Sequence, residues 1–115
     1  MSKMNKKVYY HDTDSGGVVY YANYLKYFEE ARTEYLSGQG IDLKELSKEG
    51  VIFAVRAVKV NYRAPARYGD TLEISTQLTK VGGASLEFVQ EVKVGNRLLV
   101  MAQTSLACIN RDFMP

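Results

Sequence analysis

The chain of 115 residues is 46% hydrophobic and 24% charged, a composition typical of one globular domain and not of a disordered protein. Its formal net charge of +2 is too small to indicate nucleic-acid binding, and no apolar run approaches the length that spans a membrane. The single cysteine excludes an intrachain disulfide, and no apolar stretch of signal-peptide type follows the basic residues 1–7. We therefore expect one domain over residues 1–115 in the cytoplasm, with no nucleic-acid partner and no membrane span.

The first predicted elements are a short strand and a long helix. Lys6 to Tyr10 can form the strand, which the acidic and glycine-rich stretch 11–17 ends. A helix is predicted from about Tyr21 to Ser37, with glycine as its stop signal. Its apolar residues occupy half of a helical wheel, so the helix should be deeply embedded. They are Tyr21, Tyr24, Leu25, Tyr27, Phe28, Ala31, Tyr35 and Leu36. Arg32 is the one charged residue inside this half, and we expect it to pair with a carboxylate or to extend to solvent.

A short second helix and four strands complete the prediction. Asp42 is the expected cap of the second helix, which ends near Gly50, with Glu45 as its capping-box partner. Alternating or β-branched residues between turn signals predict strands at Val51–Arg63, Thr71–Val81, Ala84–Val94 and Leu98–Ile109. Short links among the last three predict an antiparallel meander. One long apolar helix against one antiparallel sheet is an α+β arrangement.

Nucleophilic triads and metal sites are disfavoured by the residues present. His11 is the only histidine, and Ser15 nearby lacks the G-x-S-x-G surroundings of a serine nucleophile. Cys108 lies in the middle of an apolar strand, where core packing is the simpler interpretation. A histidine-based metal site lacks ligands, and a carboxylate site would need more acids than Asp12 and Asp14. No metal site is therefore predicted.

A carboxylate before the long helix is the remaining candidate reagent. Asp12 and Asp14 precede the helix start, where the dipole favours an anion. They can serve only as turn and capping residues, or one can attack a carbonyl or activate water. The free amides of a helix start can hold the oxyanion that results. Gly16 and Gly17 match no phosphate-binding glycine pattern and should let the backbone turn and approach a ligand.

Three motifs resemble those of hotdog-fold acyl-CoA thioesterases. V-Y-Y-x-D-T-D-x-x-G-V-V-Y-x-A-N-Y spans Val8–Tyr24, E-x-A-R-x-E spans Glu29–Glu34, and Y-x-A-P-A-x-x-G-D spans Tyr62–Asp70. The chain is most similar to the 4-hydroxybenzoyl-CoA thioesterase family, especially its tol-pal-associated bacterial branch. This resemblance implies a hotdog fold, in which a curved antiparallel sheet wraps one long central helix. It also implies dimers, often paired into tetramers.

The resemblance assigns the chemistry to two residues. The second aspartate of D-T-D, here Asp14, is the implied catalytic carboxylate, acting as nucleophile or as general base. The implied amide that polarises the thioester carbonyl belongs to Tyr21, where many members of the branch carry histidine. That role favours a helix start near Tyr21, although Asn23 is the best N-cap by sequence. Coenzyme A is part of the substrate, and no separate cofactor is implied.

Two groups of residues are candidates for substrate binding. Around the acyl group we assign Gly17, Val18, Tyr20, Tyr24, Phe28 and Glu29. Core packing is the alternative for the aromatic members. Lys59, Asn61 and Arg63 alternate along one strand face, and Arg67 follows the next turn. These residues either cradle the phosphates of coenzyme A or form a solvated face.

The resulting prediction is an acyl-CoA thioesterase for short-chain or aromatic acyl groups. The alternatives are a hydrolase of acyl-carrier-protein thioesters and a non-catalytic acyl-binding scaffold. Dehydratase activity is disfavoured because His11 lies outside the helix. A homo-oligomer is expected because strand 51–63 shifts its apolar phase near Ala57 and strand 98–109 is apolar on both faces.

Overall fold

The computed structural model describes residues 2–109, which form an antiparallel sheet and two α-helices. The strands are β1 (Ser2–Lys7), β2 (Ile52–Tyr62), β3 (Thr71–Val81), β4 (Ser85–Val94) and β5 (Arg97–Ile109). Their order in the sheet is β1-β3-β4-β5-β2. The helices are α1 (Asn23–Gly38) and α2 (Leu43–Lys48), and a 3-10 turn covers Tyr10–Asp12. The predicted α+β architecture and the meander of β3, β4 and β5 are confirmed. Within residues 2–109, no helix has the length and apolarity needed to cross a membrane.

The N-terminal strand lies earlier than predicted. The prediction of Lys6 to Tyr10 is wrong, because β1 ends at Lys7 and pairs antiparallel with β3. Its sequence, S-K-M-N-K-K, is mostly polar, which suits an edge strand whose exposed side chains are Lys3, Asn5 and Lys7. Tyr10 instead belongs to the 3-10 turn, which the Asp12 carboxylate stabilises by accepting a hydrogen bond from the Tyr9 amide at 2.9 Å.

The long helix begins two residues after the predicted start. Its first residue is Asn23, and Ala22 is the N-cap without a side-chain capping bond. Tyr21 therefore lies in the turn before the helix, where the Asn23 amide donates to the Tyr20 carbonyl at 2.9 Å. Asn23 is not the N-cap that its residue type suggests, because its side chain bonds elsewhere, to the Asp12 carbonyl. At α2, by contrast, Asp42 caps the helix as predicted.

The core lies between α1 and the inner face of the sheet. Tyr24, Tyr27 and Phe28 are each at most 2% exposed, in agreement with an embedded helix. Tyr21 and Leu25 were expected on the same buried face, but they are 60% and 42% exposed. Both lie toward β2, which is the last strand of the sheet, so no further strand of the described chain covers them.

A buried polar network holds the middle of α1 against the sheet. Arg32 is only 7% exposed, and its Nη1 donates to Oε1 of Gln90 on β4 at 3.2 Å. The Nε2 of Gln90 donates to the Phe28 carbonyl at 2.9 Å and to the Thr76 hydroxyl at 3.0 Å. The expectation that Arg32 pairs with a carboxylate or reaches solvent is wrong. A neutral amide accepts its hydrogen bond instead.

Three bulges curve the sheet around α1. Each leaves one residue unpaired in the register: Arg56 in β2, Thr79 in β3 and Leu99 in β5. A bulge bends its strand and increases the local twist. The bulge at Arg56 accounts for the apolar phase change predicted near Ala57.

Candidate active site

The D-T-D segment forms a tight hairpin that displays Asp14. Thr13 and Val19 form an antiparallel bridge, and the Asp14 amide donates to the Val18 carbonyl at 2.9 Å. The Gly17 amide donates to the Asp14 carbonyl at 3.0 Å, and Gly17 adopts φ +78°, a conformation that favours glycine. The hairpin therefore fixes the backbone of Asp14 while its side chain stays exposed.

The Asp14 carboxylate is held by its own turn. Its Oδ1 accepts a hydrogen bond from the Gly16 amide at 2.8 Å. No other hydrogen bond to this carboxylate forms within residues 2–109, so Oδ2 has no partner in the described chain. A Cβ atom at Gly16 would lie 3.2 Å from Oδ1, closer than ordinary van der Waals contact. Glycine at this position therefore leaves room for the carboxylate.

Asp12 has a different environment and serves the structure of the turn. It is 7% exposed, and its Oδ2 accepts from the Tyr9 amide. Its carbonyl accepts from the Tyr20 amide at 3.0 Å and from Asn23 Nδ2 at 2.8 Å. His11 Nε2 lies 3.5 Å from Asp12 Oδ1. These contacts link the 3-10 turn to the start of α1, and they engage both the carboxylate and the carbonyl of Asp12.

Tyr27 forms the buried wall behind Asp12. Its hydroxyl has no hydrogen-bond partner of acceptable geometry among residues 2–109. Burial, and then the nearby charge of Asp12, raise the pKa of Tyr27. The phenol therefore stays neutral at any pH near neutrality.

The Tyr21 amide points to no acceptor in the described part of the chain. The Tyr21 carbonyl, in contrast, accepts from the Tyr24 amide and from the Tyr62 hydroxyl, both at 3.3 Å. Although α1 starts later than expected, the amide remains free to donate to a ligand. This availability is what the proposed polarising role requires.

A cleft of about 270 Å³ opens beside Tyr21. Its lining residues are Val19, Tyr21, Tyr24, Tyr62, Arg63, Ala64 and Pro65. The Val19 amide donates to the Ala66 carbonyl at 2.8 Å, and the Ala66 amide donates to the Tyr24 hydroxyl at 3.1 Å. Val18 and Arg67 form a further backbone bridge. The folded chain thus brings together the first and third sequence motifs, which are about 40 residues apart.

The remaining candidates for acyl binding differ in how deeply their side chains are buried. Tyr24 and Phe28 belong to the core, as the packing interpretation predicted, yet each also lines a cavity. Tyr20 is 46% exposed and stacks at a tilt against Tyr21, with ring centres 4.7 Å apart. Glu29 is exposed and accepts a hydrogen bond from the Thr33 hydroxyl.

The predicted basic group divides into two locations. Arg63 lines the cleft, and Arg67 bridges to Val18 of the hairpin. Lys59 and Asn61 point to the outer face of the sheet, since their neighbours in β2 pack toward α1. Only the two arginines are therefore adjacent to the candidate site.

A second cavity of about 310 Å³ lies between α1 and the edge strand β2. Its lining residues are Leu25, Phe28, Glu29, Arg32, Val55, Val58 and Thr104. The sequence analysis did not identify Thr104. Its signal was the alternation of β5, which places a threonine in an inward position between Ala102 and Leu106. No cluster of three or more potential metal ligands occurs within residues 2–109.

Comparison with known proteins agrees with this architecture. The family model described as the thioesterase-like superfamily matches residues 8–112. The acyl-CoA thioester hydrolase YbgC of Escherichia coli O6:H1 is 46% identical over 105 residues, covering 90% of this chain and 78% of that protein. The 1,4-dihydroxy-2-naphthoyl-CoA hydrolase of Nostoc punctiforme is 36% identical over 107 residues, covering 92% and 72%.

The likeness extends to solved structures. The crystal structure of a probable thioesterase from Bartonella henselae superposes with a TM-score of 0.95 at 33% identity. The match covers 99% of this chain and 95% of that one. The predicted hotdog architecture is thereby confirmed.

Proposed function

The chain belongs to the thioesterase-like superfamily, and we propose that it hydrolyses short-chain or aromatic acyl-CoA to the free acid and coenzyme A. The observation that carries this proposal is the exposed Asp14 carboxylate on a hairpin that ends at Val19, which lines the cleft together with Tyr21, whose amide has no partner in residues 2–109. We place the chain in the 4-hydroxybenzoyl-CoA thioesterase family and its tol-pal-associated branch, on the motif from Val8 to Tyr24. We also propose a single-domain cytoplasmic enzyme that needs no metal or separate cofactor and binds no nucleic acid.

Asp14 starts the reaction in either of two ways. It attacks the acyl carbon, which expels the coenzyme A thiolate and leaves an anhydride for water to hydrolyse. Alternatively, it takes a proton from a water molecule, which attacks the same carbon. In both cases the carbonyl oxygen becomes an oxyanion, and the Tyr21 amide donates a hydrogen bond to it.

The Asp14→Asn variant tests this assignment. We expect kcat to fall by about 100-fold or more with little change in KM, because the carboxylate acts in the chemical step. Free-thiol release from a panel of acyl-CoA substrates is the measurement, with circular dichroism to verify folding. Asp12→Asn is the control, and its loss should appear mainly in stability, since Asp12 is occupied by the turn. Near-normal turnover by folded Asp14→Asn protein would contradict the mechanism.

The sequence assigned the nucleotide end of coenzyme A to Lys59, Arg63 and Arg67, and we propose that Arg63 and Arg67, which border the site, bind it. Cations stabilise the phosphates equally in the ground state and the transition state, so their removal should raise KM and leave kcat unchanged. The triple alanine variant should therefore weaken acyl-CoA hydrolysis but not that of an acyl-pantetheine thioester. The location of Lys59 on the outer face makes the Arg63/Arg67 double variant the informative comparison. Equal losses on both substrates would refute a role in nucleotide binding.

A second copy of the chain is the proposed partner of β2. This strand is 11 residues long and lies at the edge of the described sheet, with Val55 and Val58 54% and 43% exposed. A long edge with apolar side chains normally pairs with another strand. Sedimentation should show a dimer or tetramer, and a stable monomer at micromolar concentration would contradict the proposal.

Acyl-carrier-protein thioesters are the alternative substrate, because the arginines beside the cleft also suit an acidic carrier. Competition between the two thioesters in one assay discriminates these functions. A folded protein that hydrolyses neither would instead be an acyl-binding scaffold.

A further inference from the structure

Tyr62 begins the third sequence motif, and the reaction described above gives it no role. It is the last residue of β2, where it pairs with Val100 of β5. At the bulge of β5, the Leu99 carbonyl accepts from the Arg63 amide at 2.8 Å and from the Ala64 amide at 3.2 Å. The chain is therefore held to β5 at Tyr62 and at the two residues that follow, so Tyr62 stands on a firmly bonded part of the sheet.

The Tyr62 side chain reaches from the sheet to the turn before α1. Its hydroxyl donates a hydrogen bond to the Tyr21 carbonyl at 3.3 Å, across 41 positions of the sequence. Its ring lies edge-on to that of Tyr21, with ring centres 6.1 Å apart, and tilted against that of Tyr24, at 5.7 Å. Burial raises the pKa of Tyr62 above its ordinary value, so the phenol keeps its proton near neutral pH and can donate.

The Tyr21 amide is held by few other contacts. It belongs to the same peptide group as the Tyr20 carbonyl, which accepts from the Asn23 amide at 2.9 Å and so ties the group to the first turn of α1. That turn has no side-chain N-cap, and the Tyr21 side chain is 60% exposed, so core packing does not fix it. The Tyr24 amide also donates to the Tyr21 carbonyl at 3.3 Å, so neither bond to this carbonyl is short enough to hold the turn alone. Tyr62 therefore ties the turn to the sheet.

We propose that Tyr62 is a positioning residue, which holds the turn at Tyr21 so that its amide points at the carbonyl oxygen of the thioester. The proposal rests on the thioesterase function and on the role of this amide in it. Asp12 supports the turn from the hairpin and Tyr62 supports it from the wall of the cleft, so losing either support should let the direction of the amide vary. A donor that is aimed in advance stabilises the oxyanion without reorganisation during the reaction. The alternative is that Tyr62, which lines the cleft, binds the substrate directly.

Tyr62→Phe is the sharpest test, because it removes the hydroxyl and keeps the ring. Removal of an oxyanion donor costs about 100- to 1000-fold in kcat, and a misdirected donor loses part of this. We therefore expect kcat for hexanoyl-CoA to fall about three- to tenfold, with KM changed less than about twofold, since the amide acts on the transition state. The melting temperature should stay within about 5 °C of the wild-type value, because one half-exposed hydrogen bond contributes little to stability.

Backbone dynamics provide a second measurement that does not need turnover. In NMR relaxation, the order parameter of the Tyr21 amide should fall in Tyr62→Phe from about 0.85 toward about 0.6, the values of rigid and flexible backbone. The Gly17 amide is the internal reference, because it donates to the Asp14 carbonyl within the hairpin and has no bond to the turn at Tyr21. Its order parameter should stay at the wild-type value.

Tyr68→Phe is the matched control. Tyr68 belongs to the same motif and is 63% exposed, and its hydroxyl makes no hydrogen bond among residues 2–109. The same loss of one oxygen atom there should leave kcat, KM and the order parameter of the Tyr21 amide at their wild-type values.

The outcomes separate this proposal from the thioesterase function. A lower kcat together with a lower order parameter, in Tyr62→Phe but not in Tyr68→Phe, supports the proposal. Wild-type kcat, an unchanged order parameter or equal losses in both variants would overturn it, and a raised KM with an unchanged amide would show that Tyr62 binds the substrate instead. A wild-type protein that hydrolyses no thioester would refute the proposed function, and the order parameter alone would then decide whether Tyr62 holds the amide.

Discussion

Gly16→Ala places a methyl group directly against the proposed catalytic carboxylate. The new Cβ would lie 3.2 Å from Asp14 Oδ1, so the carboxylate must move by a few tenths of an ångström. The same movement stretches the 2.8 Å hydrogen bond from the Gly16 amide. A displacement of about 1 Å in an active site can cost about 100-fold in rate, so a shift of this size should lower kcat about three- to tenfold.

Stability should respond little to the same substitution. Gly16 does not adopt a positive φ, so alanine fits its backbone. The loss of chain entropy in the unfolded state favours alanine by about 0.4–1 kcal/mol, which offsets the weakened bond to Asp14. We therefore expect the Gly16→Ala protein to be catalytically impaired and yet to melt near the wild-type temperature.

Gly17→Ala in the same hairpin is the contrasting variant. No atom lies within 4 Å of its added Cβ, but its φ of +78° strains any side chain. We expect a loss of about 1–2 kcal/mol in the free energy of unfolding. Thermal melts and free-thiol kinetics on both variants provide the measurements. Wild-type kcat in Gly16→Ala would refute the view that this contact positions the reacting carboxylate.

Three further changes test the surroundings of the site. Gln90→Leu should lower the free energy of unfolding by about 3–5 kcal/mol in guanidinium titrations, because it leaves Arg32 buried without its acceptor; a loss under about 1 kcal/mol would contradict the network. Asn23→Asp removes the donor to the Asp12 carbonyl, so kcat should fall, and the free energy of unfolding in urea should fall by about 1–3 kcal/mol. Unchanged values would exclude a role of Asn23 in positioning the turn at Asp12. Burial raises the pKa of Tyr27 above its ordinary 10.0, so the wild type should lose stability above about pH 10, where the unfolded phenol ionises but the folded one does not. Tyr27→Phe should lose less between about pH 7 and about pH 11 in thermal melts, and identical slopes would refute this origin.

The sequence predicted most of the sheet because its strands carry a local signal. Apolar alternation bounded by glycine turns located β3, β4 and β5 to within one residue. The first strand lacks such a signal. Ser2–Lys7 is polar, and what holds it in place is its pairing with β3, far away in the chain.

The site was predictable only where one short segment contains it. The hairpin around Asp14 is built from neighbouring residues, so the glycines in the sequence were enough to predict a turn there. The partner of Arg32, in contrast, depends on how distant elements pack together. The bond from Arg32 to Gln90 joins residues 58 positions apart, and no local pattern specifies it.

The bulge at Arg56 is a position where one residue can be deleted without disturbing the pairing of β2. Deleting a residue from a regular strand moves every following side chain to the opposite face. Arg56 is an extra residue that has no partner in β5, because Val55 pairs with Leu106 and Ala57 pairs with the adjacent Ser105. Its deletion would keep these pairings and straighten the strand that borders the second cavity. A chain without Arg56 would therefore change the shape of that wall while keeping the side chains of β2 on their faces, a change that no substitution produces.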